Sequence, residues 1–440
     1  MVLFFYMSVT LEKIVNLCKR RGIIFPGSEI YGGLQNSYDF GPLGVELKNN
    51  IKKLWWKMFV QKRDDMIGLD APIIMSTKVW EASGHLKNFN DALIECKKCH
   101  ERFRADELTV KACPNCKGKE FTDTKAFNTM FATNLGPVES GENKVYLRPE
   151  TAQAMFVDFQ QIVDTTKMKV PFGIAQIGKA FRNEITPGNF IFRMREFEQM
   201  EIEYFIQEKD WKTQFDYWLG EMKKWIKAVG INESKVKYVE IPDGQRAHYS
   251  KRTIDFEFEW PFGQKELYGL AYRTDYDLKA HGIEYRDPET QEKFVPHVIE
   301  PTMGVERTVL AVLLSCYEEI KGGRSTTTES VKEEEVVLRL PKGIAPVKAA
   351  VLPLSRKEEL TGPAKEIAAS LRKHFMIQYD ETASIGKRYR RQDEIGTPFC
   401  VTVDFETLTD KKVTVRERDT MAQERVAIAE LVDYLSEELG

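Results

Sequence analysis

The runs AQIGKAFRNEI (175–185) and REFEQMEIEYF (195–205) alternate between two kinds of residue with a period of two. That is the period of a β-strand, whose side chains point alternately to opposite faces. In the first run Gln176, Gly178, Ala180, Arg182 and Glu184 share one face, and Ile177, Phe181 and Ile185 the other. In the second, Phe197, Gln199, Glu201 and Glu203 oppose Met200, Ile202 and Tyr204. Pro187 and Gly188 between the runs suit a turn. The spacing predicts two strands with an apolar face for a core and a polar face for something else. A guanidinium, carboxylates and an aromatic ring on one face match the needs of a nucleotide: a cation for phosphate oxygens, acids for Mg²⁺, a ring for a base. A solvated face laced with ion pairs accounts for the same alternation, because antiparallel sheets often wet one side.

A second stretch, VIEPTMGVERTVLAVLLSCYEEI (298–320), reads as a strand turning at Pro301 to Gly304 into an apolar helix. Arg307 falls in the first turn of that helix, where a cation opposes the helix dipole unless an anion lies nearby. An Arg reaching solvent or a neighbouring carboxylate such as Glu306 fits equally.

Cys96, Cys99, Cys113 and Cys116 form C-x2-C-x13-C-x2-C, two close thiolate pairs suited to a closed, structural tetrahedral Zn²⁺. Cys18, Cys316 and Cys400 stand apart and read as ordinary buried residues. A net charge of −3 leaves nucleic-acid binding to local basic patches. No apolar run reaches the length of a membrane span. The opening MVLFFYM lacks the features of a signal peptide, so Met7 is an alternative start and the cytoplasm the expected location.

The pattern predicts helices over 9–21 and 44–62, then a strand in GLDAPIIM with Pro72 inside it, suited to an edge. The polar stretch 322–337 reads as a linker. Beyond it, strands in IAPVKAAVLPL, MIQYDE and PFCVTVDFET alternate with helices in GPAKEIAASLRKH and VAIAELVDYLSEEL. This predicts a small α/β domain with a mainly parallel sheet.

The ordered set FPGSEIYGGLQNSYDFGPLG, RPETAQ, FRNEITPGNFIFRMREFEQMEIEYF, AHYSK, RTDYDL and IEPTMGVER resembles the homodimeric glycyl-tRNA synthetases, a class II aminoacyl-tRNA synthetase family, over residues 9 to 436. The resemblance implies an α+β catalytic domain (1–335), an antiparallel sheet flanked by helices, with a zinc-ribbon-like insertion at 92–122. It implies a C-terminal α/β anticodon-binding domain over 340–440. ATP with Mg²⁺, glycine and tRNA-Gly are the implied ligands, and a second copy of the chain the implied partner. The implied catalytic residues are Arg182, on the α-phosphate, Glu184, and Arg307, on the γ-phosphate. The implied ATP set adds Asn183, Phe192, Arg193, Met194, Arg195, Glu196, Phe197 (stacked on adenine), Glu266 (a Mg²⁺ ligand), Leu267, Gly304, Val305 and Glu306. For glycine it names Arg104, Glu150, Phe197, Glu198, Gln199, Met200, Glu201, Arg273 (for the carboxylate), Glu300, Pro301, Thr302, Met303 and Gly304. Thr302 stands where the family often has Ser, narrowing the pocket by a methyl. The basic run at Lys387, Arg388, Arg390 and Arg391, beside a glycine-bounded turn, is the implied tRNA contact; a solvated loop is the alternative. Competing readings are a non-catalytic relative serving a polymerase, a synthetase for proline, threonine or serine, and a zinc-ribbon regulator. The retained Arg182, Glu184 and Arg307 and the carboxylate set favour the glycine enzyme.

Overall fold

The computed structural model describes residues 9–106, 108, 112–137, 143–247, 249–322, 324 and 334–440. The alternative start at Met7, His248 of AHYSK and most of the expected linker lie outside the described residues.

A seven-stranded sheet carries the larger part of the chain. Its strands are β1 (Met66–Gly68), β2 (Phe172–Phe181), β3 (Glu196–Ile206), β4 (Val236–Glu240), β5 (Arg252–Trp260), β6 (Gly263–Thr274) and β7 (His297–Gly304). They lie in the order β4-β5-β6-β7-β3-β2-β1. Every pairing is antiparallel except that of β1 with β2. β2 and β3 are the two alternating runs, and their register sets Gln199 opposite Gly178 and Glu201 opposite Gln176.

One face of the sheet is apolar through its centre. Ala175, Met200, Ile202, Tyr204, Ile299 and Met303 pack there against helices Leu11–Arg21, Pro42–Trp56, Trp211–Ala228 and Val305–Cys316. Thr10 caps the first of these by accepting from the backbone N–H of Lys13, and Gly22 ends it in the left-handed conformation. Both N-terminal helices stand where the spacing places them. The strand expected in GLDAPIIM ends at Gly68; Pro72 cannot donate to a ladder, and beyond it only Ile74 makes a bridge, to Leu147.

The opposite face is graded rather than solvated. At one end Phe172, Ile174, Phe205 and Val298 form a second core with Met155, Phe156 and Phe159. In the middle it carries the buried Gln176, Glu201, Glu203 and Glu300. At the other end Arg182 and Phe197 border an open cavity. Alternation reveals which residues share a face but not what covers it.

β7 runs through Pro301 to Gly304 as strand, and the helix begins at Val305; the turn expected at Pro301–Gly304 is absent. Tyr317–Lys321 then pairs with Glu334–Leu338, so the end of the expected linker is a strand. The C-terminal part has its own core around Val351, Leu360, Val401 and Leu435. Its five-stranded sheet is mixed: Ala349–Pro353, Ile377–Tyr379 and Phe399–Val403 are parallel, and Lys412–Glu417 and Gln423–Ala427 add antiparallel.

Candidate active site

Two cavities meet on the polar face of the sheet. Arg182, Glu184, Phe192, Arg193, Met194 and Phe197 line the first, together with Glu266, Leu267, Gly304, Glu306 and Arg307. The second is lined by Glu150, Glu201, Tyr249, Asp255 and Glu300 among others. Arg182, Gln199, Glu266 and Thr302 belong to both walls.

Arg182 follows directly on β2, and its Nε donates to the carbonyl of Pro149 at 3.0 Å. Its guanidinium lies 5.4 Å from the ring of Phe197 and 5.3 Å from that of Phe89. Backbone bonds hold the segment: Arg182 N–H to Arg195 O at 2.9 Å and Asn183 N–H to Thr129 O at 2.7 Å. Glu184 Oε2 is buried with no hydrogen-bond partner. A buried acceptor left unpaired costs about 1–3 kcal/mol, which a donor on a ligand would recover. Across the cavity Arg307 donates to the carbonyls of Phe192 at 3.3 Å and Glu266 at 3.2 Å, stacks on Phe192 at 4.6 Å, and pairs with the Glu266 carboxylate at 3.4 Å. A carboxylate thus answers the cation at the helix N-terminus.

The second cavity is dense in acids. Glu201 accepts from Thr302 Oγ1 at 2.9 Å, from Gln199 at 3.3 Å and from Thr151. Glu300 pairs with Arg273 at 2.6 Å. Burial pushes the Glu300 carboxyl up to about 8, with Arg273 opposing and Glu201 and Glu150 adding to the rise. Burial raises Glu201 as well, reinforced by Glu150. Burial works the same way on Glu150, but His85 at 3.3 Å, Arg273 and Gln153 outweigh it and hold that group well below the usual carboxylate range. Ser83 Oγ lies 2.8 Å from the other ring nitrogen of His85. Asp255 is pushed up to about 7 by burial beside Glu266 and Glu257. Gly178 makes room for the buried Arg148, since a Cβ there would stand 2.2 Å from its guanidinium.

Several expected residues sit elsewhere. Arg273 is buried behind Glu300, paired with Asp277 at 2.8 Å and stacked 3.8 Å from the ring of Tyr249, and lines neither cavity. Arg104 faces Asp91 and Asp106 on the insertion. Met200, Met303 and Val305 belong to the core on the far face, where Trp55 donates to the Met303 sulfur at 3.1 Å. Pro301 pairs with Leu270 in the sheet. Glu198 is held by Lys48 at 3.0 Å and Lys52 at 2.9 Å. Arg195 reaches the carbonyls of Gln35 and Glu184, and Glu196 pairs with Lys179. Sequence reasoning missed His85, Gln153, Tyr249, Asp255 and Asp277; the RPETAQ, AHYSK and RTDYDL motifs contain Gln153, Tyr249 and Asp277, and nothing marked His85 or Asp255.

The four cysteines converge. Sγ–Sγ distances are 3.6 Å for Cys96–Cys116 and for Cys99–Cys113, and all four sulfurs lie within 4.8 Å of one another. Zn–S bonds of about 2.3 Å in a tetrahedron put sulfurs about 3.8 Å apart, so the set fits the ion. Both C-x-x-C turns share one backbone: His100 and Lys117 have φ of 59° and 60° and donate to Cys96 O and Cys113 O, each at 2.9 Å. A Cβ on Gly118 would press within 3.4 Å of two of the sulfurs.

The basic run is a helix, Ile385–Glu394, not a loop. Arg388 is buried and donates to the carbonyls of Pro353, Leu354 and Asp380. Arg391 pairs with Asp380 at 2.9 Å. Lys387, Arg390 and Arg391 line a surface cleft of mixed charge with Arg20 and Arg21, which pair with Glu394 there, and with Glu334 and Glu335.

Known proteins resemble this chain in sequence and in fold. Residues 134–316 match the tRNA synthetase class II core domain (G, H, P, S and T), and residues 348–438 match an anticodon binding domain. The chain is 49% identical to a glycine–tRNA ligase of Geobacillus thermodenitrificans over 99% of its own length and 98% of the relative's. It is 50% identical to that of Geobacillus kaustophilus, covering 99% of this chain and 100% of the other. For Alkaliphilus oremlandii the identity is 50% with 98% of both chains covered. The crystal structure of prolyl-tRNA synthetase from Cryptosporidium parvum shares the fold, with a TM-score of 0.65 at 15% identity, covering 98% of this chain and 77% of that one. The chain belongs to the glycine–tRNA ligases, within the class II aminoacyl-tRNA synthetases.

Proposed function

We propose that the first cavity takes ATP and the second glycine, so that the chain forms glycyl-adenylate and then passes glycine to the 3′ end of tRNA-Gly. The observation that carries this reading is the shared wall. Arg182, Gln199 and Thr302 border both cavities, so a nucleotide α-phosphate in one adjoins an amino-acid carboxylate in the other.

Arg182 neutralises charge growing on the α-phosphate, and Arg307 takes the far end of the triphosphate. Phe197 offers its ring to adenine, and the unpaired Glu184 Oε2 an acceptor to the adenine amine. Glu266, on the triphosphate side, would hold Mg²⁺, which would supply further charge neutralisation. Positioning and electrostatic stabilisation supply the catalysis, and no nucleophile from the chain is needed. Glycine's ammonium meets Glu150, Glu201 and Glu300, which crowd the space a side chain would need. Arg273 acts from beneath by holding Glu300. Zn²⁺ on Cys96, Cys99, Cys113 and Cys116 stiffens the insertion structurally. Residues 1–335 form the catalytic unit, with the insertion at 92–122, and residues 340–440 the tRNA-reading unit, whose cleft at Lys387 and Arg390 meets RNA phosphates. The active form is a homodimer working in the cytoplasm; no helix among the described residues is long and apolar enough to cross a membrane.

The test is glycine-dependent ATP–pyrophosphate exchange with wild-type, Arg182→Ala and Glu300→Ala chains. Arg182→Ala abolishes exchange, whereas Glu300→Ala raises the glycine KM and spares that for ATP. Equal effects of both variants on both substrates would refute the two-cavity assignment.

A further inference from the structure

Glu203 has no place in the site assembled so far, yet it is the most deeply placed acid of the sheet. It is fully buried, and neither carboxylate oxygen has a hydrogen-bond partner. The register pairing Glu201 with Thr302 and Tyr204 with Ile299 sets Glu203 opposite Glu300 on β7. Carboxylate oxygens of Glu201, Glu203 and Glu300 lie within 4.8 Å of one another. On its other flank the register offers only Ile174, from β2.

We propose that Glu203 is a positioning residue of the amino-acid site: it remains a neutral carboxylic acid and donates its O–H to Glu300 once the charge of a bound ammonium ion has favoured ionisation of that neighbour, whose proton leaves to solvent. The inference rests on the reading of this cavity as the glycine site. Like charges directly opposite across a sheet repel, and two acids sharing a dry site cannot both ionise cheaply. An ionised Glu203 would be a buried charge without a single donor, whereas Glu201 has three. The groups facing Glu203 are Glu201 on its own strand, Glu300 on β7, Arg273 on β6 and Asp277 on the following helix. Arg273 is already engaged by Asp277 and Glu300, so it leaves no cation for a further anion. Burial and the neighbouring Glu300 accordingly push Glu203 well above the ordinary carboxylate range. A neutral acid at this position tops the negative charge facing glycine's ammonium at three carboxylates, and its proton keeps Glu300 fixed when the substrate arrives.

The decisive experiment follows the glycine KM against pH by pyrophosphate exchange in wild-type, Glu203→Gln and Glu203→Leu chains, with Glu300→Ala alongside. Glutamine is a neutral donor of the same shape, so E203Q keeps the wild-type pH midpoint. Leucine removes the donor, so E203L raises the glycine KM about tenfold, moves the midpoint upward and leaves the ATP KM in place, roughly the value of one hydrogen bond to a charged group. A midpoint displaced downward in E203Q would overturn the proposal, because it would mean that an anion had been removed. Should E203L fail to fold, infrared difference spectra of wild type against E203Q decide the matter: a protonated-carboxyl C=O stretch present only in wild type supports the proposal, and its absence overturns it. An unaltered glycine KM in Glu300→Ala would remove the site reading itself, a separate failure.

Discussion

Arg307 leaves the first turn of its helix and meets Glu266 on a neighbouring strand at 3.4 Å, each end of the pair bordering the same cavity as Arg182. In the absence of nucleotide the carboxylate balances a cation that the helix dipole disfavours. On the proposed reading, Mg²⁺-ATP would give each a new partner, a phosphate for Arg307 and the metal for Glu266. Arg307→Ala therefore lowers kcat/KM for ATP by about 10²–10³-fold, the scale for losing one preorganised donor to developing charge. Glu266→Gln raises the Mg²⁺ concentration needed for half-maximal exchange without moving the glycine KM. Steady-state exchange with ATP, Mg²⁺ and glycine varied in turn separates the two effects.

Glu300 sets a pH dependence. Unfolded, its carboxyl titrates near about 4.3; folded, burial holds the proton to about 8. The native chain binds more protons than the unfolded one across that window, so this group's contribution to stability is complete below the lower value and is lost as pH rises through the upper one. An ammonium ion favours the ionised form. Glycine affinity thus rises between about pH 6 and 8, and binding releases a proton. Calorimetry in buffers of different ionisation enthalpy reads that proton directly. Glu300→Ala removes it and raises the glycine KM by about two orders of magnitude, the value of about 2–3 kcal/mol for a lost charged hydrogen bond.

The alternation in residues 175–205 was enough to pair β2 with β3 and to place Arg182, Phe197 and Glu201 on one face. It did not show that the same face disappears beneath Phe156 and Phe159 at Glu203 and Phe205, because period two records direction and not cover. Arg388 was unreadable for a related reason. It sits among Lys387, Arg390 and Arg391 in the sequence, yet its guanidinium binds three carbonyls inside the domain. Arg273 followed its motif to the right neighbourhood, but Asp277, one helical turn on, drew it inward. The strands Lys412–Glu417 and Gln423–Ala427 are dense in charge and gave no apolar run to see.

That burial sets Arg388 apart from Lys387 and Arg390, the proposed tRNA contacts. Lys387→Glu with Arg390→Glu raises the KM for tRNA about tenfold or more and steepens no dependence on glycine or ATP, as expected for phosphate contacts. Arg388→Ala instead lowers the melting temperature of the C-terminal part, since it strands the buried carbonyl of Pro353 and the half-buried carbonyls of Leu354 and Asp380. Aminoacylation kinetics and thermal melts distinguish the two variants.

The four-cysteine knuckle yields a further expectation. Purified protein carries about one zinc per chain, as a closed four-thiolate site requires. Chelation, or Cys99→Ser, removes it and lowers the melting temperature. Phe89, which precedes the insertion's first strand and lies 5.3 Å from Arg182, links this loss to the ATP side. Elemental analysis, melts and the ATP KM measured on the same samples test the linkage.

Amino-acid-dependent ATP–pyrophosphate exchange across a panel of amino acids, with wild type and Arg182→Ala side by side, tests the adjoining of the two cavities most directly. The wild-type chain exchanges with glycine alone, and Arg182→Ala loses that exchange. Exchange driven by a larger amino acid, or glycine-dependent exchange untouched by Arg182→Ala, would contradict it.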